Sequence, residues 1–373
     1  MHFDPTTHPH RRFNPLTKQY ILVSPHRTKR PWLGQTEPPQ PADLPSYDAN
    51  CYLCPGNSRS GDQRNPDYKE TFTFENDFAA ILHPPIPSTP LPVHPLMTVQ
   101  PVHGACDVLI FHPRHDLTMA LMSQNDIKRI INEWIRVYES RGSQPDIQYV
   151  QIFENKGAMM GCSNPHPHGQ IWSSSVVPTI PIQELASLKE YSLTTCTPLS
   201  TAPRGLEGRP CMLCEYAHAE LAQPEDQGRV VVSNQDWVAL VPWWATWPFE
   251  VLVLPYRRHI DSISQLNEEE KTSFADILAR ISRRYDNLFS CSFAYSMGIH
   301  QRPVPEREVD GQDHENNFAH LHLHFEPPLL RSSTIKKFLV GYELMAEAQR
   351  DLTPEQAAAR LQQCSEVHYT ELA

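Results

Sequence analysis

The chain of 373 residues lacks an uninterrupted apolar run, an excess of positive charge and an even cysteine count, and each absence excludes something. Residues 1–12 are polar and histidine-bearing, without the apolar core of a secretory leader. The most apolar stretch, 237–255, is broken by Pro242, Pro248 and Glu250, so it makes a poor membrane span. A net charge of -11 argues against a general nucleic-acid or anionic-membrane binder. Local cations such as Arg27, Lys29 and Arg30 can still hold the phosphates of a small substrate. Nine cysteines with two Cys-x-x-Cys pairs favour reduced, metal-binding thiols over a disulfide framework. The expected compartment is the cytoplasm.

The most informative stretch that is present runs Gly161-Cys162-Ser163-Asn164-Pro165-His166-Pro167-His168-Gly169-Gln170-Ile171-Trp172. Pro165 and Pro167 exclude a helix and favour extended backbone. Extended backbone puts His166, His168 and Gln170 on one face. An apolar core would not accept that polar row unpaired. The bland reading is a proline-rich surface loop with incidental histidines. The functional reading is an imidazole nucleophile or metal site on an edge strand, where proline is tolerated, with Gly169 letting a ligand approach the backbone.

Other landmarks occur twice in the same order. Cys51/Cys54, the segment Asn76-Asp77-Phe78, a strand at 107–111 leading to His115, an amphipathic helix from Ser123 to a closing Gly142, and the motif strand make the first series. Cys211/Cys214, Gln235-Asp236-Trp237, a strand at 251–255 leading to His259, a helix at 268–288 capped by Asn267, and His320, His322 and His324 make the second. The order implies an α+β fold of two tandem, pseudo-symmetric units, 1–192 and 193–373, each with an antiparallel sheet and packed helices. The stretch 193–210 reads as a linker and 336–350 as a helical tail. Thr353-Pro354-Glu355-Gln356 is a capping box opening a last helix. The three alternating histidines read as metal ligands or a pseudo-active site, with a satisfied core as the bland alternative. The repeat places Cys211 and Cys214 near His259 and the 320–324 strand, a candidate pseudo-symmetric zinc site. A Cys₄ site joining both pairs would strand His115.

Glu154-Asn155-Lys156-Gly157 with the 161–170 run, Asn14-Pro15-Leu16-Thr17, Tyr295-Ser296-Met297-Gly298 and Val340-Gly341-Tyr342-Glu343 resemble the galactose-1-phosphate uridylyltransferase family of the histidine triad superfamily. The resemblance spans nearly the whole chain. It implies that UMP passes from UDP-glucose to galactose 1-phosphate by double displacement through a uridylyl-histidine, giving glucose 1-phosphate and UDP-galactose. By motif position the nucleophile is His168, with its other ring nitrogen held by the His166 carbonyl. Gln170 and Ser163 would bind the phosphoryl oxygens. A glutamine where hydrolytic relatives carry a third histidine argues for transfer over hydrolysis. Cys162 as a nucleophile is the competing reading, and no flanking group favours it.

The same resemblance implies zinc on Cys51, Cys54, His115 and His166, and iron or zinc on Glu184, His300, His322 and His324. It implies substrate contacts at Asn76, Asp77, Asn155, Gly161, Cys162, Ser163 and Gln170. Arg27, Arg30, Ser60, Lys337, Phe338, Tyr342, Glu343 and Gln349 complete the set, several of them reaching the partner's site in a homodimer with shared active sites. One departure is Ile299-His300-Gln301-Arg302-Pro303, where the family commonly has Trp-His-Gly-Ala-Pro, and the divergence continues to 318. Two other readings remain: a related nucleotide-sugar phosphorylase or hydrolase, and a non-catalytic nucleotide-sensing module.

Overall fold

The computed structural model describes residues 2–29, 36, 44–84, 94–195, 201–224, 228–304 and 317–371. Two short strands, β1 (His10–Asn14) and β2 (Gln19–Val23), open the chain. The first unit then supplies β3 (Phe72–Glu75), β4 (Gly104–Ile110), helix α1 (Gln124–Gly142), β5 (Tyr149–Lys156) and β6 (His168–Ser174). Helices α2 (Thr179–Thr194) and α3 (Met212–Leu221) lead into the second unit. That unit contains β7 (Val230–Ser233), β8 (Trp237–Leu240), β9 (Val251–Pro255), α4 (Glu268–Leu288), β10 (Tyr295–His300) and β11 (His322–Glu326). A one-turn α5 (Tyr342–Met345), β12 (Ala348–Arg350) and α6 (Pro354–Gln362) follow.

The two expected sheets are one. Nine antiparallel strands pair in the order β3-β4-β6-β5-β10-β11-β9-β8-β7. The order β5-β6-β4-β3 outward from the middle is repeated by β10-β11-β9-β8 in the other direction, with β7 added. The seam between the units is therefore the β5–β10 pair.

Directly paired residues of a sheet point to the same side. One row runs Phe74, Val108, Gln170, Phe153, Gly298, His324 and Leu252 across seven strands. On the opposite face Ile171, Ile152, Ile299, Leu323 and Val253 form an apolar row buried under α1 and α4. Those helices begin where the sequence predicts, each with a capping box: Ser123 with Asp126, and Asn267 with Glu270. The helical face of α1 is well chosen, since Ile127, Ile130, Ile131, Trp134, Ile135 and Tyr138 are all buried. Gly142 does not close α1 as a left-handed cap. It is the last helical residue, and a Cβ there would lie 2.8 Å from Val304.

Three local expectations fail for non-local reasons. β6 is an interior strand between β4 and β5; the prolines precede its ladder, where no backbone donor is required. The 336–350 tail is helical only in the single turn of α5, which Gly341, at φ +54, precedes, and β12 pairs in parallel with β2. Gly169 admits no ligand, because a Cβ there would lie 2.9 Å from the Phe111 ring and 3.0 Å from the Phe153 carbonyl. No described helix is long and apolar enough to cross a membrane.

Candidate active site

His168 is the first residue of β6, and the His166 carbonyl lies 2.8 Å from its Nδ1. A carbonyl only accepts, so Nδ1 carries the proton and Nε2 the lone pair. Burial holds the His168 pKa below the usual imidazole value, only partly offset by that backbone hydrogen bond, so the neutral, nucleophilic ring is favoured. His168 lines a cavity of ≈ 260 Å³ together with Asn155, Cys162 and Ser163. Gly161, at φ +78, makes the turn into this wall. Asn155 is steadied by the Ser296 hydroxyl, which donates to its Oδ1 at 2.7 Å across the seam.

Gln170 shares the face of His168, and its Oε1 accepts from the Trp172 indole at 3.0 Å. With the oxygen occupied, its remaining polar role is that of a donor. Burial pushes the Cys162 thiol pKa up, and its sulfur lies 3.1 Å from the Asn164 carbonyl. A thiol held protonated is a weak nucleophile, which counts against Cys162 as the attacking group.

Immediately behind His168, the ligand atoms of Cys51, Cys54, His115 and His166 gather within 4.8 Å of one another, all four residues being buried. Cys54 Sγ lies 3.6 Å from His115 Nδ1 and 3.4 Å from His166 Nδ1, and the two Nδ1 atoms are 3.3 Å apart. Those separations suit a tetrahedral ion with bonds of about 2.0–2.3 Å. His166 Nε2–H donates to the His112 carbonyl at 2.9 Å, which leaves Nδ1 as the lone pair turned to the thiols. Burial pushes Cys54 up to about 11 and His166 down to about 3, so both stay neutral unless a cation joins them.

The second group lies on the other half of the same sheet face. Helix α2 delivers Glu184 to His300 of β10 and to His322 and His324 of β11. Glu184 Oε2 is 2.6 Å from His300 Nδ1 and 3.4 Å from His322 Nε2, while Oε1 is 3.6 Å from His324 Nε2. Nε2 of both His322 and His324 is buried with no hydrogen-bond partner among the described residues. Burial works to raise the Glu184 pKa, yet His300 and the other imidazoles hold it well below the carboxylate range. A carboxylate facing unpartnered imidazole nitrogens is a cation-binding set by its chemistry.

Family models for the N-terminal and C-terminal domains of galactose-1-phosphate uridyl transferase match residues 1–178 and 187–373. The chain belongs to the galactose-1-phosphate uridylyltransferase family. A galactose-1-phosphate uridylyltransferase of Cryptococcus neoformans is 50% identical over 364 residues, 95% of this chain and 90% of that one. A second, from Haemophilus influenzae, is 46% identical over 372 residues, covering 99% and 98%. A solved uridylyltransferase structure superposes with a TM-score of 0.70 at 26% identity, covering 94% of this chain and 97% of that one.

The substrate contacts implied by likeness to the galactose-1-phosphate uridylyltransferase family divide in space. Asn155, Cys162 and Ser163 share the cavity of His168, while Asn76 and Asp77 follow β3. Arg27, Lys337, Tyr342, Glu343 and Gln349 gather instead around the small sheet of β1, β2 and β12. There Arg27 donates to Gln349 at 3.3 Å and Lys337 pairs with Glu343. None of these five lines the cavity, and nor do Ser60 and the half-exposed Phe338. Arg30 lies outside the described residues.

Sequence reasoning overlooked Arg59. Its guanidinium sits 3.7 Å over the Phe74 ring, in the row of Gln170, and 3.8 Å from the Asp77 carboxylate. Its Nε and Nη1 are buried without hydrogen-bond partners among the described residues. The only sequence signal was a positive charge beside Ser60. In the divergent loop, Gln301 is buried and accepts from the Ile263 amide at 2.8 Å, so its first residues are anchored; 305–316 lie outside the described residues.

Proposed function

We propose that the chain transfers UMP from UDP-glucose to galactose 1-phosphate, in the cytoplasm and as a homodimer, with a catalytic unit at 1–192 and a second-metal unit at 193–373. The carrying observation is the orientation of His168: Nδ1–H bound to the His166 carbonyl at 2.8 Å, in the wall of the cavity. In the first step Nε2 attacks the α-phosphorus of UDP-glucose. An N–P bond forms, the bond to the bridging oxygen breaks, and glucose 1-phosphate leaves. In the second step a phosphate oxygen of galactose 1-phosphate attacks the same phosphorus, releasing UDP-galactose and free His168. Ser163 and Gln170 donate to the phosphoryl oxygens, where negative charge builds in both transition states.

Cys51, Cys54, His115 and His166 would hold zinc, and Glu184, His300, His322 and His324 iron or zinc. When bound, such ions supply cross-links between loops and strands. The tail cluster of Arg27, Lys337, Tyr342, Glu343 and Gln349 lies away from the cavity of its own chain. The half-exposed Phe338, Val340 and Tyr342 and the exposed Leu344 and Met345 lie beside it. An apolar surface of this kind supports a partner subunit's site as its destination.

UDP-glucose alone should give a burst of glucose 1-phosphate equal to the enzyme sites, with label on His168; galactose 1-phosphate should then release UDP-galactose. Continuous UMP release would overturn transfer in favour of hydrolysis. Binding with no burst would leave the nucleotide-sensing reading.

A further inference from the structure

Beyond the two metal groups above, the second unit contains a third. The ligand atoms of Cys211, Cys214, His259 and His320 lie within 4.8 Å of one another. We propose that these four residues form a second thiolate zinc site, and that it braces β11 so that His322 is presented to the neighbouring metal.

The sulfur-to-histidine spacing and the ring arrangement repeat those of the first site, with His320 presenting Nε2 where His166 presents Nδ1. Cys214 Sγ is 3.7 Å from His259 Nδ1, where Cys54 Sγ is 3.6 Å from His115 Nδ1. The His259 and His320 rings are 5.3 Å apart at 71°, where those of His115 and His166 are 5.3 Å apart at 67°. Cys211, Cys214 and His320 are buried, and no disulfide joins the described cysteines. His320 Nδ1–H donates to the Leu321 carbonyl at 2.9 Å, so Nε2 carries the lone pair. That Nε2 is buried with no hydrogen-bond partner among the described residues. A buried acceptor without a donor is costly, and a cation held by two thiolates and two imidazoles removes the cost. Gly205 closes over the group, and a Cβ there would meet His259 and Cys211 at 3.5–3.6 Å.

The brace follows from the next link. His322 Nδ1–H donates to the His320 carbonyl at 2.6 Å, as His168 does to that of His166. A metal on His320 fixes the residue whose carbonyl orients His322, and outer partners of this kind change metal affinity by about 10–100-fold. This second part rests on the assignment of Glu184, His300, His322 and His324 as a metal site; the zinc site itself does not.

Cobalt replacement separates the sites, because sulfur-to-cobalt absorption reports only the thiolate sites. In the full-length chain, Cys211→Ser with Cys214→Ser should halve that absorption and remove one bound metal, while Cys51 and Cys54 keep theirs. Unchanged absorption and metal content would overturn the site. Should the double variant not fold, mercurial titration of the wild-type chain should release two ions as four thiols react; release of one would overturn it equally. The affinity of the sulfur-free site, measured by competition with a chelator, should fall about 10–100-fold in the double variant. Unchanged affinity would remove the brace. His300→Ala distinguishes failure of the underlying assignment, since it should lose the sulfur-free metal and keep the full sulfur signal.

Discussion

The strands β6 and β11 occupy equivalent places on either side of the seam, and the roles proposed for them differ. Each is preceded by a buried histidine in a Cys-x-x-Cys cluster, His166 in one and His320 in the other. Each opens on a histidine whose Nδ1–H is taken by the carbonyl two residues back. The divergence is in what faces the remaining nitrogen. Before His168 lies a cavity; before His322 stands Glu184 with two further imidazoles. The fold thus supplies a pre-oriented imidazole twice. In the mechanism proposed above, the neighbours decide whether it serves as nucleophile or ligand, here through α2 carrying an acid across to β11.

The sharpest way to test that contrast is to remove the two histidines separately. His168→Ala should lower transferase activity on the order of 10⁴-fold with both thiolate clusters still metal-loaded. His322→Ala should lose the sulfur-free metal but keep activity within about tenfold, since none of the four residues of that group lines the cavity and β5 and β10 separate β11 from β6. Assays of initial rate beside metal content decide this, and equal losses in both variants would end the contrast. Packing behind the two strands differs as well. Leu323→Ala should destabilise by about 2–5 kcal/mol, leaving a cavity beneath α1 and α4. Gly169→Ala should cost about 1–3 kcal/mol by crowding Phe111. Denaturant midpoints check both.

A smaller effect belongs to Arg59, which has no counterpart among the landmarks of the second unit. If its unpartnered Nε and Nη1 meet substrate phosphate, Arg59→Ala should raise KM for UDP-glucose about 10–100-fold, the worth of charge-assisted bonds. An unchanged KM would confine Arg59 to holding Asp77.

The repeat was readable because it rests on local chemistry: Cys-x-x-Cys turns, alternating histidines, and capping boxes at Ser123 and Asn267. The clustering of the cysteines and histidines was readable for the same reason, with Glu184 supplied by family likeness and found on a helix that no local signal had marked. What escaped was set by pairing between distant segments. Nothing near Pro165 tells that β6 will be flanked on both sides, and nothing in 348–350 tells that β2 will draw it into a strand. Gly169 looked open to ligand because Phe111, which fills the space, is 58 residues away in sequence. Arg59 needed the ring of Phe74 to become visible.

The seam itself buries ionisable groups from both halves, Glu154 and Lys156 from one and Asp286 from the other. Glu154 of β5 accepts from the Tyr295 hydroxyl of β10 at 3.0 Å, while Lys156 pairs with Asp286 of α4 at 2.8 Å. Burial pushes the Glu154 carboxyl up to about 7, against the pull of Lys156 and Tyr295. A folded-state pKa above the unfolded value means that the folded protein binds the proton more tightly. Stability is therefore highest at acidic pH as far as this group is concerned, falls as pH rises from about 4.5 through about 7, and then levels. The contribution is on the order of 3 kcal/mol. Glu154→Gln keeps an acceptor for Tyr295 without a titrating proton, so its melting temperature should fall less than the wild type's between pH 5 and pH 8. Parallel falls in the two proteins would show that the seam tolerates the charge and that another group sets the pH dependence.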